Sequence, residues 1–369
     1  MLANIIGERL IALNFGESHG RCIGVVVDGV PAGLPLNDDD IQIKLDLRRP
    51  GYSIITTQRK EDDRVNILSG IFNNYTTGAP ICMIIWNKDQ DSRPYELIRN
   101  TPRPGHADYP AYIKYKGFND YRGGGRFSGR LTATFVMAGA LAEKLLKYTL
   151  GIEVLAYTKE IGNIKARDLS IEEIRELRYS NDVRCPDTEI AKDMRDAIIN
   201  AKQEGDSLGG IIECIVLNVP VGLGEPIFGA LESDLARALF GIPSVKGVEF
   251  GSGFDGTKLK GSEHNDLYEI NNGRIVTKTN NAGGILGGLS NGMPIKIRIA
   301  FKPVSSIAKK QKSVDMINMN DTELVVPGRH DPCVVPRAPP VVEGLVAFIL
   351  ADHAIRSNMI PMVLTNGHR

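Results

Sequence analysis

From Ser18 the chain reads SHGRCIGVVVDGVPAGLP, and from Ser207 it reads SLGGIIECIVLNVPVGLG. Ser, Gly, Val-Pro and Gly-Leu fall at equal offsets in the two stretches. Residues 22–30 form a β-branched run that stops at Pro31-Ala32-Gly33, and 205–224 behaves in the same way, so each reads as a strand closed by a turn. A helix-like segment follows each, at 39–47 and 231–240. Further on, each half has a glycine cluster (123–125 and 283–288), and then an arginine leading into a long apolar helix: 131–147 after Arg130 and 341–355 after Arg337. The pattern predicts half-repeats at 10–150 and 200–355 within one domain spanning 1–369. Between the halves, Ser170-Ile171-Glu172-Glu173 spells a capping box, and 189–203 carries Ile190, Met194, Ile198 and Ala201 at helical spacing before Gly205. The remaining strands, 81–86 and 295–301, are separated by turns rather than by regular crossover helices. The expected fold class is therefore α+β, a layered sandwich of antiparallel β-sheets with surrounding helices, rather than a doubly wound parallel sheet.

With 369 residues, 42% hydrophobic and 24% charged, the chain can bury a large core, and disorder is excluded as its main state. Lys+Arg and Asp+Glu both number 44, so no overall field draws in nucleic acid or anionic lipid, and any anion site must be built by local clustering. Five widely spaced cysteines, odd in number and without CxxC spacing, argue against a disulfide framework or a zinc site and point to a reducing compartment, the cytoplasm. No basic n-region precedes an apolar core at the N-terminus, and no apolar run reaches the ~18 residues of a membrane span.

The glycine excess, 39 residues, sits in clusters beside chemistry-bearing side chains. Gly16-Glu17-Ser18-His19-Gly20 fits the letter of GxSxG, but a nucleophile elbow needs a strand before the serine and a helix after it, whereas a β-branched run follows His19. Taken alone the motif is a turn with a solvated histidine. Arg103-Pro104-Gly105-His106-Ala107-Asp108 places a second histidine beside an arginine in a loop stiffened by proline. Arg122-Gly123-Gly124-Gly125-Arg126-Phe127-Ser128-Gly129-Arg130 follows, with three arginines on a backbone bare enough for phosphate to approach its N–H groups, ahead of a helix N-terminus. Its rivals are a plain helix-capping loop and an RGG-type RNA-binding element, of which one copy in a neutral chain is weak support. Gly328-Arg329-His330-Asp331-Pro332 groups a cation, an imidazole and a carboxylate, but no HxxxH, HExxH or Cys/His cluster accompanies it, so no metal is expected. Lys302-Pro303-Val304-Ser305-Ser306 adds a cation and two hydroxyls after a strand, or is an exposed polar turn.

Taken together, GESHG, DLRRPG, RPGHADY, RGGGRFSGR, KGVEFGSGF, GGILGGLSNG, KPVSSI and GRHDPCVVPRAPPVVE resemble, in order and along nearly the whole chain, the motifs of the chorismate synthases. The resemblance implies a lyase that removes phosphate from 5-enolpyruvylshikimate 3-phosphate to give chorismate, with reduced FMN as cofactor. It also implies NADPH as a candidate flavin reductant and a homotetramer. By the same resemblance His19 would protonate the departing phosphate, His106 would keep the reduced flavin suitably protonated, and Asp331 would help accept the proton that arrives there. Arg48, Arg103, Arg130, Arg329 and Arg337 would hold the substrate anions, Arg48 also being a candidate NADP contact. Arg126, Phe127, Ser128, Pro243, Ser244, Gly287, Lys302, Pro303, Val304, Ser305, Ser306 and Arg329 would hold FMN. The sequence departs from the family pattern at Leu131, where a glutamate is usual, at Ile54, often arginine, and at Pro243-Ser244, where many members carry Asn-Ala. These departures bear on affinity and spare both histidines and Asp331.

Overall fold

The computed structural model describes residues 3–57, 62–88, 91–326 and 330–365. Two five-stranded antiparallel sheets form the frame, as the turn-separated strands lead one to expect. Across the first sheet the order is Ile5–Ile6, Ile11–Gly16, Cys22–Asp28, Ile81–Trp86 and Val65–Ile67. Across the second it is Ile164–Lys165, Glu153–Ile161, Gly210–Leu217, Ile295–Phe301 and Val245–Phe250. The two orders correspond strand for strand, every neighbour being antiparallel, except that the outermost strand precedes its partner in the first half and follows it in the second. The match supports a two-fold repeat as a proposal, but not with the bounds expected at 10–150 and 200–355, because the second sheet takes Glu153–Ile161 and Ile164–Lys165 from the segment between them and the first begins at Ile5.

Each sheet is followed by a long apolar helix, Thr132–Leu150 after the first and Pro339–Arg356 after the second. These two central helices pack against each other, the first also on strand Cys22–Asp28 and the second on Glu153–Ile161 and Gly210–Leu217. In the second helix every residue from Pro339 to Ile355 is buried, as a helix apolar on nearly all sides must be. Two prolines open it, where fixed φ and the missing N–H cost nothing. The helices cross at Gly139 and Gly344 so closely that a Cβ on Gly139 would lie 2.0 Å from the Gly344 Cα. Only hydrogen fits between these backbones.

The second central helix also closes the first sheet. Asp352, buried in its last turns, accepts hydrogen bonds from the backbone N–H groups of Glu8, Arg9 and Leu10 at 2.8 to 3.2 Å. The chain beyond it returns to the same half, where Ala32 N–H donates to Met362 O at 3.0 Å and Leu364 N–H to Ala32 O at 2.8 Å. The helices read from sequence at 39–47 and 231–240 are Asp38–Arg48 and Leu231–Leu239, and Ser170 and Glu173 form the expected capping box.

Candidate active site

Both central helices begin at one cavity, walled by Thr132 and the preceding Ser128, Gly129 and Arg130 at the first and by Val341 and the preceding Val334, Arg337 and Ala338 at the second. The anion-binding groups expected from sequence meet here. Arg48, from the end of helix Asp38–Arg48, lines it with Arg103, Arg130, Arg337, His106 and Asp331. The Phe127-Ser128 pair, Pro243-Ser244 and Val304-Ser305-Ser306 complete the wall. The described residues bring together most of the groups that sequence reading assigned to one site.

Several assigned residues lie elsewhere. Arg126 is exposed, hydrogen-bonded to Asn4 Oδ1, and not part of the cavity wall. Gly287 sits at the turn of the small hairpin joining Ile285–Leu286 to Leu289–Ser290, outside the wall. Lys302 and Pro303 are not part of the cavity wall, and Lys302 Nζ donates to Gly105 O at 3.0 Å, which ties it to the Arg103–His106 loop. Burial and the nearby Lys246 lower the Lys302 pKa. Arg329 lies outside the described residues.

His19 is buried beside the cavity, behind the glycine turn. A Cβ on Gly123 would lie 2.4 Å from His19 Nε2, and one on Gly124 would lie 3.3 Å from His106 Nε2. Successive glycines, both at positive φ, thus hold one imidazole each. His19 Nδ1 pairs with Ser92 Oγ at 2.9 Å, and its ring meets Tyr95 edge-on, with centroids 5.3 Å apart. The loop carrying it is fixed by Ser18 N–H donating to Gly125 O at 3.1 Å and by Asn87 Nδ2, which donates to Glu17 O and Gly20 O. Asn87 Oδ1 in turn accepts from Arg130 Nε at 3.0 Å, tying the histidine loop to the arginine cluster.

The cations are arranged by three carboxylates, of which sequence reading gave Asp63 and Asp108 no role. Asp63 is buried, accepts from Arg48 Nη1 at 2.9 Å with Oδ2, and bonds Arg130 Nη1 with Oδ1. Burial pushes its carboxyl up, but the two guanidinium groups outweigh burial and hold it below the usual range. Arg48 also donates to Gly129 O at 2.8 Å and Thr132 Oγ1 at 3.1 Å. Burial above all, then the charges of Arg337 and Arg130, lower its pKa to about 9, which leaves it charged at neutral pH. Asp331 accepts from Thr57 N–H at 2.8 Å with one oxygen and from Arg337 Nη1 with the other. In the Arg103–Asp108 loop, Asp108 accepts from Arg103 Nε at 2.7 Å and Nη2 at 2.8 Å and meets His106 Nδ1 at 2.6 Å. Burial raises the Asp108 carboxyl, and the bonds from Arg103 and His106 override it and hold it well below the usual range.

Asp108 was within reach of sequence reading, being two residues from His106 in one loop. Asp63 was not, because Asp62-Asp63-Arg64 looks like a solvated charge run; only its positive φ of 46° marks it, and that is a property of the folded chain.

A cavity of this kind, with paired arginines, hydroxyls and bare backbone, suits an anionic ligand that carries phosphate and a planar ring. Among the described residues no cluster of His, Cys, Asp and Glu could hold a metal, and no helix is long and apolar enough to cross a membrane.

Comparison with known proteins agrees with the motifs. The family model for chorismate synthase matches residues 10–355. Chorismate synthase of Dehalococcoides mccartyi (strain BAV1) is 55% identical over 363 residues, 98% of this chain and 100% of the relative. That of Korarchaeum cryptofilum is 56% identical over 357 residues, 97% of this chain and 99% of the relative. A solved crystal structure of chorismate synthase, 30% identical, superposes with a TM-score of 0.75 over 95% of this chain and 93% of the other. The chain belongs to the chorismate synthase family and is thereby an enzyme, a carbon–oxygen lyase.

Proposed function

We propose that the enzyme catalyses the anti-1,4-elimination of phosphate from 5-enolpyruvylshikimate 3-phosphate to give chorismate, the last common step toward the aromatic amino acids, as a homotetramer in the cytoplasm. The observation that carries this reading is the convergence of four arginines and His106 on one cavity, with His19 held just behind the same glycine turn. A substrate with two carboxylates and a phosphate needs several fixed cations to be bound out of water, and guanidinium forks supply them. Arg48, Arg130 and Arg337 face the cavity with Asp63 and Asp331 setting their directions.

The donor set also fits FMN. Ser128, Ser244, Ser305 and Ser306 offer hydroxyls for a phosphate and a ribityl chain, Phe127 and Pro243 offer apolar faces, and Gly124 leaves room beside His106. Reduced FMN, when bound, lends electron density for C–O cleavage and recovers it, so that the elimination needs no net oxidant. The chain's own groups then manage protons and charge. Departing phosphate has a second pKa of about 6, close to the ~6.5 of histidine, so His19 is matched to donate to it. His106, on the other side of the turn, serves the flavin side of the cavity, and Asp331 stands beside Arg337 as the proton acceptor.

Anaerobic turnover of the substrate with chemically reduced FMN tests the reading, and adding NADPH with oxidised FMN asks whether the chain reduces its own flavin. Formation of chorismate is expected with reduced FMN. Its absence overturns the assignment. His19→Ala should slow phosphate release by about 10²–10⁴ fold while FMN still binds, as loss of a positioned acid does. Unchanged release would remove His19 from the mechanism.

A further inference from the structure

Arg103 was expected to bind the substrate, but most of its guanidinium hydrogens are engaged by the protein, one on Nη1 being left toward the cavity it lines. Nε and Nη2 grip the two oxygens of Asp108, and Nη1 donates to Ser306 Oγ at 3.1 Å. The backbone N–H of Arg103 also donates to Asp108 Oδ2 at 3.0 Å, so the carboxylate is held from three directions. That leaves Oδ1 aimed at His106 Nδ1 at 2.6 Å, at the short side of bonds to an ionised acceptor. A carboxylate that accepts from Arg103 on both oxygens can only accept from the imidazole as well, so Nδ1 carries the hydrogen. Arg103 Nη2 is 3.0 Å from Nδ1 and 3.3 Å from Nε2. The two in-plane nitrogen lone pairs diverge, so a group nearly equidistant from both sits over the ring face and blocks neither in line. The Nε2 side faces Gly124, where a Cβ would press on the ring, and His106 is part of the cavity wall.

We propose that Arg103, Asp108 and His106 act as one unit. Asp108 is a positioning residue that fixes His106 as the Nδ1–H tautomer, Arg103 is the clamp on Asp108 rather than a substrate contact, and Nε2 is the nitrogen that gives or takes a proton in the cavity. A carboxylate behind an imidazole does this elsewhere in acid–base catalysis, and its amide replacement acts by presenting the wrong tautomer. In Asp108→Asn the amide oxygen takes the place of Oδ2 and keeps Arg103 Nε and backbone N–H, its NH₂ group takes the place of Oδ1, gives up the Nη2 bond and meets Nδ1, and the hydrogen moves to Nε2.

The inference rests on the proposed elimination only for its activity arm. With ¹⁵N-labelled histidine in the full chain, which has six histidines, long-range proton–nitrogen correlation reads the tautomer of neutral His106 without substrate or flavin. The parent should show Nδ1–H, Asp108→Asn should show Nε2–H, and Asp108→Glu should restore Nδ1–H. In turnover with reduced FMN, Asp108→Asn should lower kcat by about 10²–10⁴ fold with KM changed less than about threefold. An Nε2–H tautomer in the parent overturns the proposal, and this spectrum decides it even if the variant fails to fold. An unchanged tautomer in a folded Asp108→Asn also overturns it. So does an Arg103→Lys variant that keeps the tautomer and kcat and raises KM more than tenfold, since that marks a substrate clamp. Failure of the parent to form chorismate would sink the elimination instead and leave the tautomer result standing.

Discussion

The two halves of the molecule share a strand order and end in the same kind of helix, yet they use equivalent loops differently. In the first half the loop before strand Cys22–Asp28 carries His19 and is pinned by Asn87 and Gly125. In the second, the loop before strand Gly210–Leu217 carries no titratable group at that place. Its Ser207 Oγ donates to Val304 O at 2.7 Å and Leu208 N–H to Pro332 O at 2.9 Å. One loop carries the histidine proposed to act on phosphate; the other props up the two segments that supply Val304, Ser305, Ser306 and Asp331 to the cavity. At the mouths of the central helices the halves converge again, each with an arginine held by an aspartate: Arg130 on Asp63 and Arg337 on Asp331. Two sheets of matching strand order thus frame one cavity, and under the proposed function a few loop residues decide which half acts on the ligand.

The two arginine–aspartate pairs offer the largest contrast. Asp63 is fully buried between two guanidinium groups, whereas the Asp331 side chain is 12% exposed and holds one. Removing one partner of a buried pair typically costs about 3–5 kcal/mol. Asp63→Ala is expected to lose that much stability in urea unfolding and Asp331→Ala clearly less; equal losses would mean that burial does not separate the pairs. The folded pKa of Asp63 lies below the ~3.9 of an unfolded aspartate, so its stabilisation is complete above that value and is lost as pH falls through the folded value. The stability gap between the parent and Asp63→Asn should accordingly close below about pH 4.

The helix crossing comes next in size. Gly139→Ala drives a methyl into the Gly344 backbone and should cost at least about 1–3 kcal/mol, while Gly129→Ala, whose Cβ meets nothing within 4 Å, should be nearly silent. Matching melting temperatures for the two variants would show that the helices part freely.

Arg130→Lys and Arg337→Lys test whether both mouths bind substrate through planar forks. Each should raise the substrate Kd by about tenfold, or ~1.4 kcal/mol, measured by calorimetry on the FMN-free protein. A loss for one and none for the other would assign the anion to a single half.

The smallest effect concerns the equivalent surface helices. Asp38–Arg48 begins with a capping box between Asn37 and Asp40, whereas Leu231–Leu239 begins at Ala230, with no side-chain cap. Asn37→Ala should cost about 1 kcal/mol, and Ala230→Gly far less. The reverse order would place the strain of the frame in the second half.

Much of this frame was legible because turn chemistry and periodicity are local. Strands 81–86 and 295–301 fall where β-branched runs between turns put them, and the capping box at Ser170 was spelled out in four letters. The glycine turn at 123–125 likewise announced a close approach. What it approached was not legible, because the neighbours of Gly123 and Gly124 come from residues 18–19 and 103–106. The same holds for Asp63, Asn87 and Ser92, polar residues in loops whose roles depend on partners 15 to 73 residues away. Arg126 shows the same limit: in the run RFSGR the next four residues line the cavity while Arg126 pairs with Asn4, 122 residues away, and the spelling does not reveal that partner.

The crossing at Gly139 and Gly344 has a consequence for how the protein is made. The first central helix ends at Leu150, and the helix that covers it begins only at Pro339, so roughly 190 residues must be synthesised in between. At about 5–20 residues per second the ribosome needs roughly 10–40 s for that stretch. During this time the apolar flank of the first helix has no partner, and the edge at Ala32 still lacks the returning segment at 362–364. A nascent chain halted before Pro339 should therefore be bound by hydrophobic-recognising chaperones and cut by protease within 132–150. One extended far enough for the full sequence to clear the exit tunnel should escape both.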